Sequence, residues 1–293
     1  MRSSDLSIRV MGRDDVDFAI ELAANEGWNP GLHDAEYFYR TDPGGFFIGL
    51  KDNKPVGCIS AVSYGGRFGF IGLYIVIPEY RGQGFGAALW QHAMRHLKNQ
   101  NIGLDGVLQQ QENYRKSGFK LAYRNIRYQG TGLPRSATAA TTTELPKVAA
   151  ELVPLDSVDF EQLVAYDSEF FPVSRKRFLE GWVKMPESRA VAMMRDWKLC
   201  GYGVIRRCRK GFKVGPLFAN DEKIAETLLL GLSSDLAMGE PIFLDVPEVN
   251  PAAIRLVERH RMNKVFETAR MYTDAPPAIE LEGVFGVTTF ELG

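Results

Sequence analysis

Apolar positions Val16, Ile20 and Ala23 recur at helical spacing and predict a helix over Asp14–Ala24, after a short strand at Leu6–Val10. A second helix is expected over Leu32–Arg40. The pattern then changes to apolar runs broken by turn residues. Strands are predicted at Gly45–Lys51, Pro55–Tyr64 and Phe68–Ile77, with Asp52-Asn53 and Gly65-Gly66 as the turns between them. Helical spacing resumes over Phe85–Lys98, where Leu89, Ala93 and Leu97 share a face. A strand at Gly103–Leu108, a short helix at Gln111–Ser117 and a long strand at Phe119–Tyr128 complete this half.

The stretch Thr131–Ala150 is rich in Thr, Ala and Ser, carries Pro134 and Pro146, and has little to bury, so it reads as a linker. Beyond it the same order of elements returns. A strand around Leu152 precedes helices at Val158–Tyr166 and Arg175–Val183. Strands follow at Arg189–Met194, Leu199–Arg206 and Lys213–Phe218, then a helix at Glu222–Leu236 and a strand at Ile242–Val246. A helix at Pro251–Arg259, a strand at Val265–Tyr272 and a last strand at Val284–Leu292 close the pattern. The letters repeat as well: Leu104-Asp105 has a counterpart in Leu244-Asp245, and Asn125-Ile126-Arg127 in Thr268-Ala269-Arg270. We read an internal duplication, two mixed-sheet α/β domains at residues 1–130 and 151–293, with chance likeness between two α/β halves as the alternative.

At 293 residues the chain is long enough for two cores, and a formal charge of −1 gives no electrostatic case for nucleic acid or an anionic membrane. Arg206, Arg207, Arg209 and Lys210 fall where a strand should turn and are expected at a solvated hairpin tip. Three cysteines, Cys58, Cys200 and Cys208, lack metal-ligand spacing and suit a reducing compartment. Neither a signal peptide nor a membrane-spanning stretch is legible, and the cytoplasm is the expected location.

The chemistry concentrates in Val76-Ile77-Pro78-Glu79-Tyr80-Arg81-Gly82-Gln83-Gly84-Phe85-Gly86, where a strand ends and a glycine-rich turn feeds a helix. Glycines let the backbone approach a ligand, and the first helical turn offers unpaired N–H groups at the positive end of the dipole. Together they suit a pyrophosphate. Phe85-Gly86 stands where a P-loop needs Lys-Ser or Lys-Thr, and Gly86 comes too early for the dinucleotide fingerprint. The plain alternative is a helix start with incidental glycines.

Arg81-Gly82-Gln83-Gly84-Phe85-Gly86, preceded by Val76-x-Pro78, resembles the acyl-CoA motif of the GNAT acetyltransferase superfamily. Tyr114-Arg115-Lys116-Ser117-Gly118-Phe119 resembles its second landmark, a tyrosine followed after three residues by Gly-Phe. The resemblance implies acetyl-CoA as cosubstrate, its pyrophosphate held by N–H groups from Gln83 to Gly86 and its pantetheine arm by main chain at Ile75 and Val76. It also implies Tyr114 as the acid that protonates the departing thiolate. Superfamily members often carry an asparagine seven residues before that tyrosine; Val107 stands there instead, and the neighbouring amide, Asn113, becomes the candidate cofactor contact. Trp28-Asn29-Pro30-Gly31 and Val287-Thr288-Thr289-Phe290-Glu291-Leu292-Gly293 resemble a bacterial two-domain subgroup with a GNAT-like second half.

Amide formation also needs a neutral amine and oxyanion stabilisation, for which N–H groups near Val76 serve. The base is not legible. Phe70–Val76 contains no carboxylate, and Glu26, Asp34 and Asp105 stay open as candidates, with Trp28 and His33 near the acceptor. His92 and His96 share a helix face without further ligands and read as polar surface. In the second half the cradle position reads Gly215-Pro216-Leu217-Phe218-Ala219-Asn220-Asp221-Glu222-Lys223, without the glycine spacing, and no tyrosine matches Tyr114. That half is expected to be degenerate in its cofactor loop: a wall for the acceptor site, a regulator-binding unit, or packing. The function expected is acetyl transfer to an amine of a small molecule or peptide. The alternative is a CoA-binding or sensory module with little turnover.

Overall fold

The computed structural model describes residues 6–132 and 150–293, so the expected linker lies almost wholly outside the described residues. The first half runs β1 (Leu6–Val10), α1 (Arg13–Asn25), α2 (Asp34–Thr41), β2 (Phe46–Lys51), β3 (Lys54–Tyr64), β4 (Phe68–Val76), α3 (Phe85–His96), β5 (Asn101–Val107), α4 (Gln111–Lys116) and β6 (Lys120–Thr131). The second runs β7 (Glu151–Pro154), α5 (Phe160–Asp167), α6 (Lys176–Trp182), β8 (Ser188–Arg195), β9 (Lys198–Arg207), β10 (Phe212–Ala219), α7 (Glu222–Ser233), β11 (Pro241–Pro247), α8 (Pro251–Arg259), β12 (Asn263–Tyr272) and β13 (Val284–Gly286). No helix among the described residues is long and apolar enough to cross a membrane.

Among the described residues all strands join one sheet, in the order β1-β2-β3-β4-β5-β12-β6-β11-β10-β9-β8-β7, with β13 added to β10. The two halves repeat one pairing scheme. β1 to β4 pair antiparallel and β4 pairs parallel with β5; β7 to β10 pair antiparallel and β10 pairs parallel with β11. Beyond that point the halves exchange strands. β12 lies against β5, β6 lies against β11, and β6 and β12 pair with each other. Each fifth strand would otherwise end as an open edge with unpaired N–H and C=O groups, and the partner half supplies the strand that closes it. Across the division expected between 131 and 150, the two halves therefore share one sheet.

The repeated letters meet at this exchange. Asp105 faces Arg270 across β5 and β12, and Asp245 faces Arg127 across β11 and β6. Arg270 Nη2 donates to Asp105 Oδ2 at 2.6 Å, and Arg127 Nε donates to Asp245 Oδ1 at 2.6 Å. All four side chains are buried. Removing one member of such a pair leaves an uncompensated charge, at a cost of about 3–5 kcal/mol.

Helix α3 puts Leu89, Ala93 and Leu97 against Phe47, Ile59 and Ile71, as its spacing predicts. Helices α1 and α2 cover the opposite side, where Phe38 stacks on Trp182 of the second half with centroids 6.0 Å apart. The β9–β10 hairpin does not end in solvent throughout. Arg206 is fully buried, lies over the Trp182 ring and donates from Nε to Asp34 Oδ1 at 2.9 Å. The tip docks on the first half because backbone and amide groups meet there: Leu32 N donates to Arg207 O at 3.0 Å and Asn29 Nδ2 to Lys210 O at 3.0 Å. The strand expected over Val284–Leu292 forms only as β13. Val287 N then donates to Asp245 O at 2.8 Å, which turns the chain away from β10.

Candidate active site

β4 and β5 pair only from Phe68 with Asn101 to Ile71 with Leu104, then diverge. An extra residue in β4 promotes the divergence: Ser60 faces Gly72 while Cys58 faces Ile75. Leu73 has φ of 45°, a left-handed conformation unusual for a leucine and expected at a bulge. The gap is a cavity of about 660 Å³ bordered by Gly72–Val76 on one side and Leu104–Val107 on the other.

At its mouth the glycine turn has its expected shape. Gly82 and Gly84 have φ of 75° and 86°, where other residues are strained, and a Cβ at either would meet open space. Gly84 precedes α3, and no side chain caps that helix. The first-turn N–H groups are therefore free for an anion at the positive end of the dipole. Gly86 is glycine for a different reason. A Cβ there would stand 2.8 Å from Tyr74 Oη and 3.2 Å from Val76 Cγ2, so its absence lets α3 close on β4.

The other predicted cofactor residues divide into two groups. Ile75, Val76, Arg81, Gly82, Gly84 and Gly86 line the cavity. Arg81 is held by its own surroundings, donating from Nε to Val76 O at 2.8 Å and from Nη2 to Glu26. Gln83, Phe85 and Asn113 are not among the lining residues. Gln83 Nε2 donates to Glu79 O at 3.0 Å, and the Phe85 ring is buried beside Tyr80. Asn113 is exposed and donates to Gln110 Oε1 at 2.7 Å, while Gln109 and Gln110 line the cavity in its place.

Tyr114 lines the cavity from α4 and is buried. Its ring lies directly on Gly106, where a Cβ would overlap it, and 5.4 Å from the Trp90 centroid. Burial, then the neighbouring Tyr74, pushes the Tyr114 phenol upward, so it keeps its proton at neutral pH. Tyr74, on the other side of Trp90, is likewise raised by burial. No motif singles out Tyr74; its signal is Gly86, whose missing side chain makes room for it. Cys58 is fully buried behind β4, its thiol pushed up to about 12 by burial, and has no thiolate for nucleophilic chemistry.

The three candidate bases are all engaged. Glu26 lines the mouth but is paired with Arg81. Asp34 accepts from Gly31 N at 2.8 Å and from Arg206, outside the cavity lining. Asp105 lines the cavity but accepts from both Arg270 nitrogens and from Asn125 Nδ2 at 2.8 Å. Trp28 lines the cavity and its carbonyl accepts from Arg127 Nη1 at 2.8 Å, whereas His33 faces Glu187 at 3.0 Å elsewhere. Sequence reasoning missed the rest of the wall. Arg127 from β6, Phe266 and Thr268 from β12, and Phe290 and Glu291 after β13 all border the cavity.

The equivalent gap in the second half is filled. β10 and β11 pair only from Phe212 with Ile242 to Val214 with Leu244, and β13 enters where they part, with Gly286 against Leu217 and Leu244. Asp221 Oδ1 accepts from Ile224 N at 2.9 Å and so caps α7, and Glu222 pairs with Arg255 and Arg259. The N-terminus of α7 is therefore capped rather than open for an anion.

A model of the acetyltransferase (GNAT) family matches residues 15–119, and a model of an acetyltransferase (GNAT) domain matches residues 163–286. The chain is 27% identical over 273 residues to a holothin acyltransferase of Pseudoalteromonas sp. (strain SANK 73390), covering 93% of this chain and 90% of that one. It is 26% identical over 233 residues to an uncharacterized N-acetyltransferase, YitH, of Bacillus subtilis (strain 168), covering 78% and 77%. A candidate acetyltransferase of Pyrococcus horikoshii has the same fold, with a TM-score of 0.80 at 21% identity over 100% of this chain and 98% of that one. So does a tandem GNAT protein from the clavulanic acid biosynthesis pathway, with a TM-score of 0.64 at 13% identity over 93% and 99%. The family transfers acyl groups from acyl-CoA to amine acceptors. The chain belongs to the GNAT acetyltransferase family and carries two such units in tandem.

Proposed function

We propose that the protein transfers an acetyl group from acetyl-CoA to an amine of a small molecule or peptide, by direct attack in the first-half cavity. The observation that carries this reading is the meeting, in one cavity, of the Gly82–Gly84 turn, the diverging end of β4 and the Tyr114 phenol. Acetyl-CoA supplies an activated thioester. The N–H groups from Gln83 to Gly86 suit its pyrophosphate, and main chain at Ile75 and Val76 suits the pantetheine arm and the thioester oxygen. Tyr114 is the proposed acid for the thiolate, a role supported by its burial and its upward-shifted phenol. Direct attack accords with the absence of an ionised cysteine beside the bulge.

The test is thiol release from acetyl-CoA with benzylamine, tyramine, ethanolamine, aniline and a lysine-containing peptide as acceptors. Amine-dependent release supports the reading, and Tyr114→Phe is then expected to keep acetyl-CoA affinity while lowering turnover by about 10²-fold. Tight acetyl-CoA binding with no release above hydrolysis for any acceptor would favour a sensory module instead. Unchanged turnover in Tyr114→Phe, with chemistry limiting, would remove Tyr114 from the acid role.

A further inference from the structure

The cavity contains one carboxylate that none of the foregoing uses. Glu291 lines it, is only 5% exposed, and its carboxyl oxygens have no hydrogen-bond or ion-pair partner among the described residues. That distinguishes it from Glu26 and Asp105, each occupied by an arginine. Its backbone is fixed from several directions. Thr289 Oγ1 accepts from Glu291 N at 3.2 Å and from Leu292 N at 2.9 Å, and Tyr64 Oη donates to Leu292 O at 2.9 Å. Gly72, at the β4 bulge, has no side chain because a Cβ would overlap the Glu291 carbonyl. The segment that closes the second half's gap thus continues to the first half's cavity, with the Glu291 main chain packed on the bulge and the residue among those that line the cavity.

We propose that Glu291 is the catalytic base that takes the proton from the acceptor amine, an inference that rests on the amine-acetylating reading above. The incoming ammonium gives one proton to the Glu291 carboxylate, and the neutral nitrogen forms the N–C bond as the C–S bond breaks. The thiolate takes the Tyr114 proton. The second nitrogen proton, lost as the amide forms, restores Tyr114, and the proton on Glu291 leaves to water. Lys213 on β10, Asp34 on α2, Arg127 on β6 and Arg206 on β9 act electrostatically on the Glu291 carboxyl. Burial outweighs the three cations and pushes the Glu291 carboxyl upward, which brings it nearer to the proton affinity a base needs.

Glu291→Gln tests the assignment on two acceptors, the most active alkylamine of the panel and aniline, which is already neutral at pH 7. The alkylamine kcat/KM should fall about 10²-fold or more, with aniline turnover and acetyl-CoA affinity within about threefold of wild type. The melting temperature supplies a separate readout. A carboxyl raised by burial favours the fold in its protonated form, below its unfolded value, and loses that contribution as pH rises through its folded value. Glu291→Gln should therefore melt no lower than wild type at neutral pH. Equal losses for both amines, or none, would overturn the proposal. If Glu291→Gln does not fold, Glu291→Asp is expected to show the same split between the two amines. Wild-type protein that binds acetyl-CoA yet acetylates no amine would overturn the acetyl-transfer reading, and the base with it.

Discussion

The glycines of the cradle are glycine for unlike reasons, and their substitutions should fail in unlike ways. Gly84 holds φ of 86° with open space where a Cβ would stand, so Gly84→Val strains the turn by about 1–2 kcal/mol and puts bulk into the proposed pyrophosphate site. Calorimetry should show acetyl-CoA binding weakened by tenfold or more, about 1.4 kcal/mol, and unchanged affinity in a folded variant would contradict the cradle. Gly86→Val instead drives a side chain into Tyr74 and Val76, and a lower melting temperature is the expected result. These residues were legible because a turn, a helix start and the Tyr114 segment are each written in consecutive letters. Asn113, next to Tyr114 in sequence, lies on the exposed side of α4, because neighbours along a helix point in different directions. Glu291, Arg127 and Phe266 were not legible as cavity residues, since only long-range pairing brings them there.

Elements show the same division. Strand and helix order followed from periodicity, and α3 and α8 begin within a residue of where the pattern places them. What periodicity cannot encode is which edge a strand joins. The Leu-Asp and x-x-Arg repeats were visible as likeness between halves, yet their meaning, an Asp of one half bonded to an Arg of the other, appears only once β6 and β12 are exchanged. Arg270→Ala should expose that dependence. With Asp105 left buried and unpaired, chemical denaturation is expected to show a loss of about 3–5 kcal/mol, and Asp105→Leu together with Arg270→Met should recover most of it. A loss under 1 kcal/mol in the single variant would mean that the pair contributes little to closing β5.

For the whole molecule, the exchange decides what can be separated. A fragment of residues 1–130 lacks β12, so β5 loses its outer neighbour and β6 loses both of its partners. Such a fragment is expected to aggregate or remain partly unfolded, with a fluorescence and circular dichroism profile unlike that of the full chain. Pieces ending at 132 and starting at 150 retain, between them, the contacts described above, and are expected to co-purify as a folded pair when expressed together. Recovery of a stable, monomeric 1–130 fragment would show that β6 can fold back beside β5 on its own.

The strand exchange also bears on descent. A duplicated gene ordinarily leaves a spare copy that a lineage is free to discard once its activity is gone. Here the half without the glycine turn holds the strand that completes the other half's sheet, and receives one from it in return. Deletion of either half would remove the closing strand of the other, so neither half is expected to be dispensable to the fold.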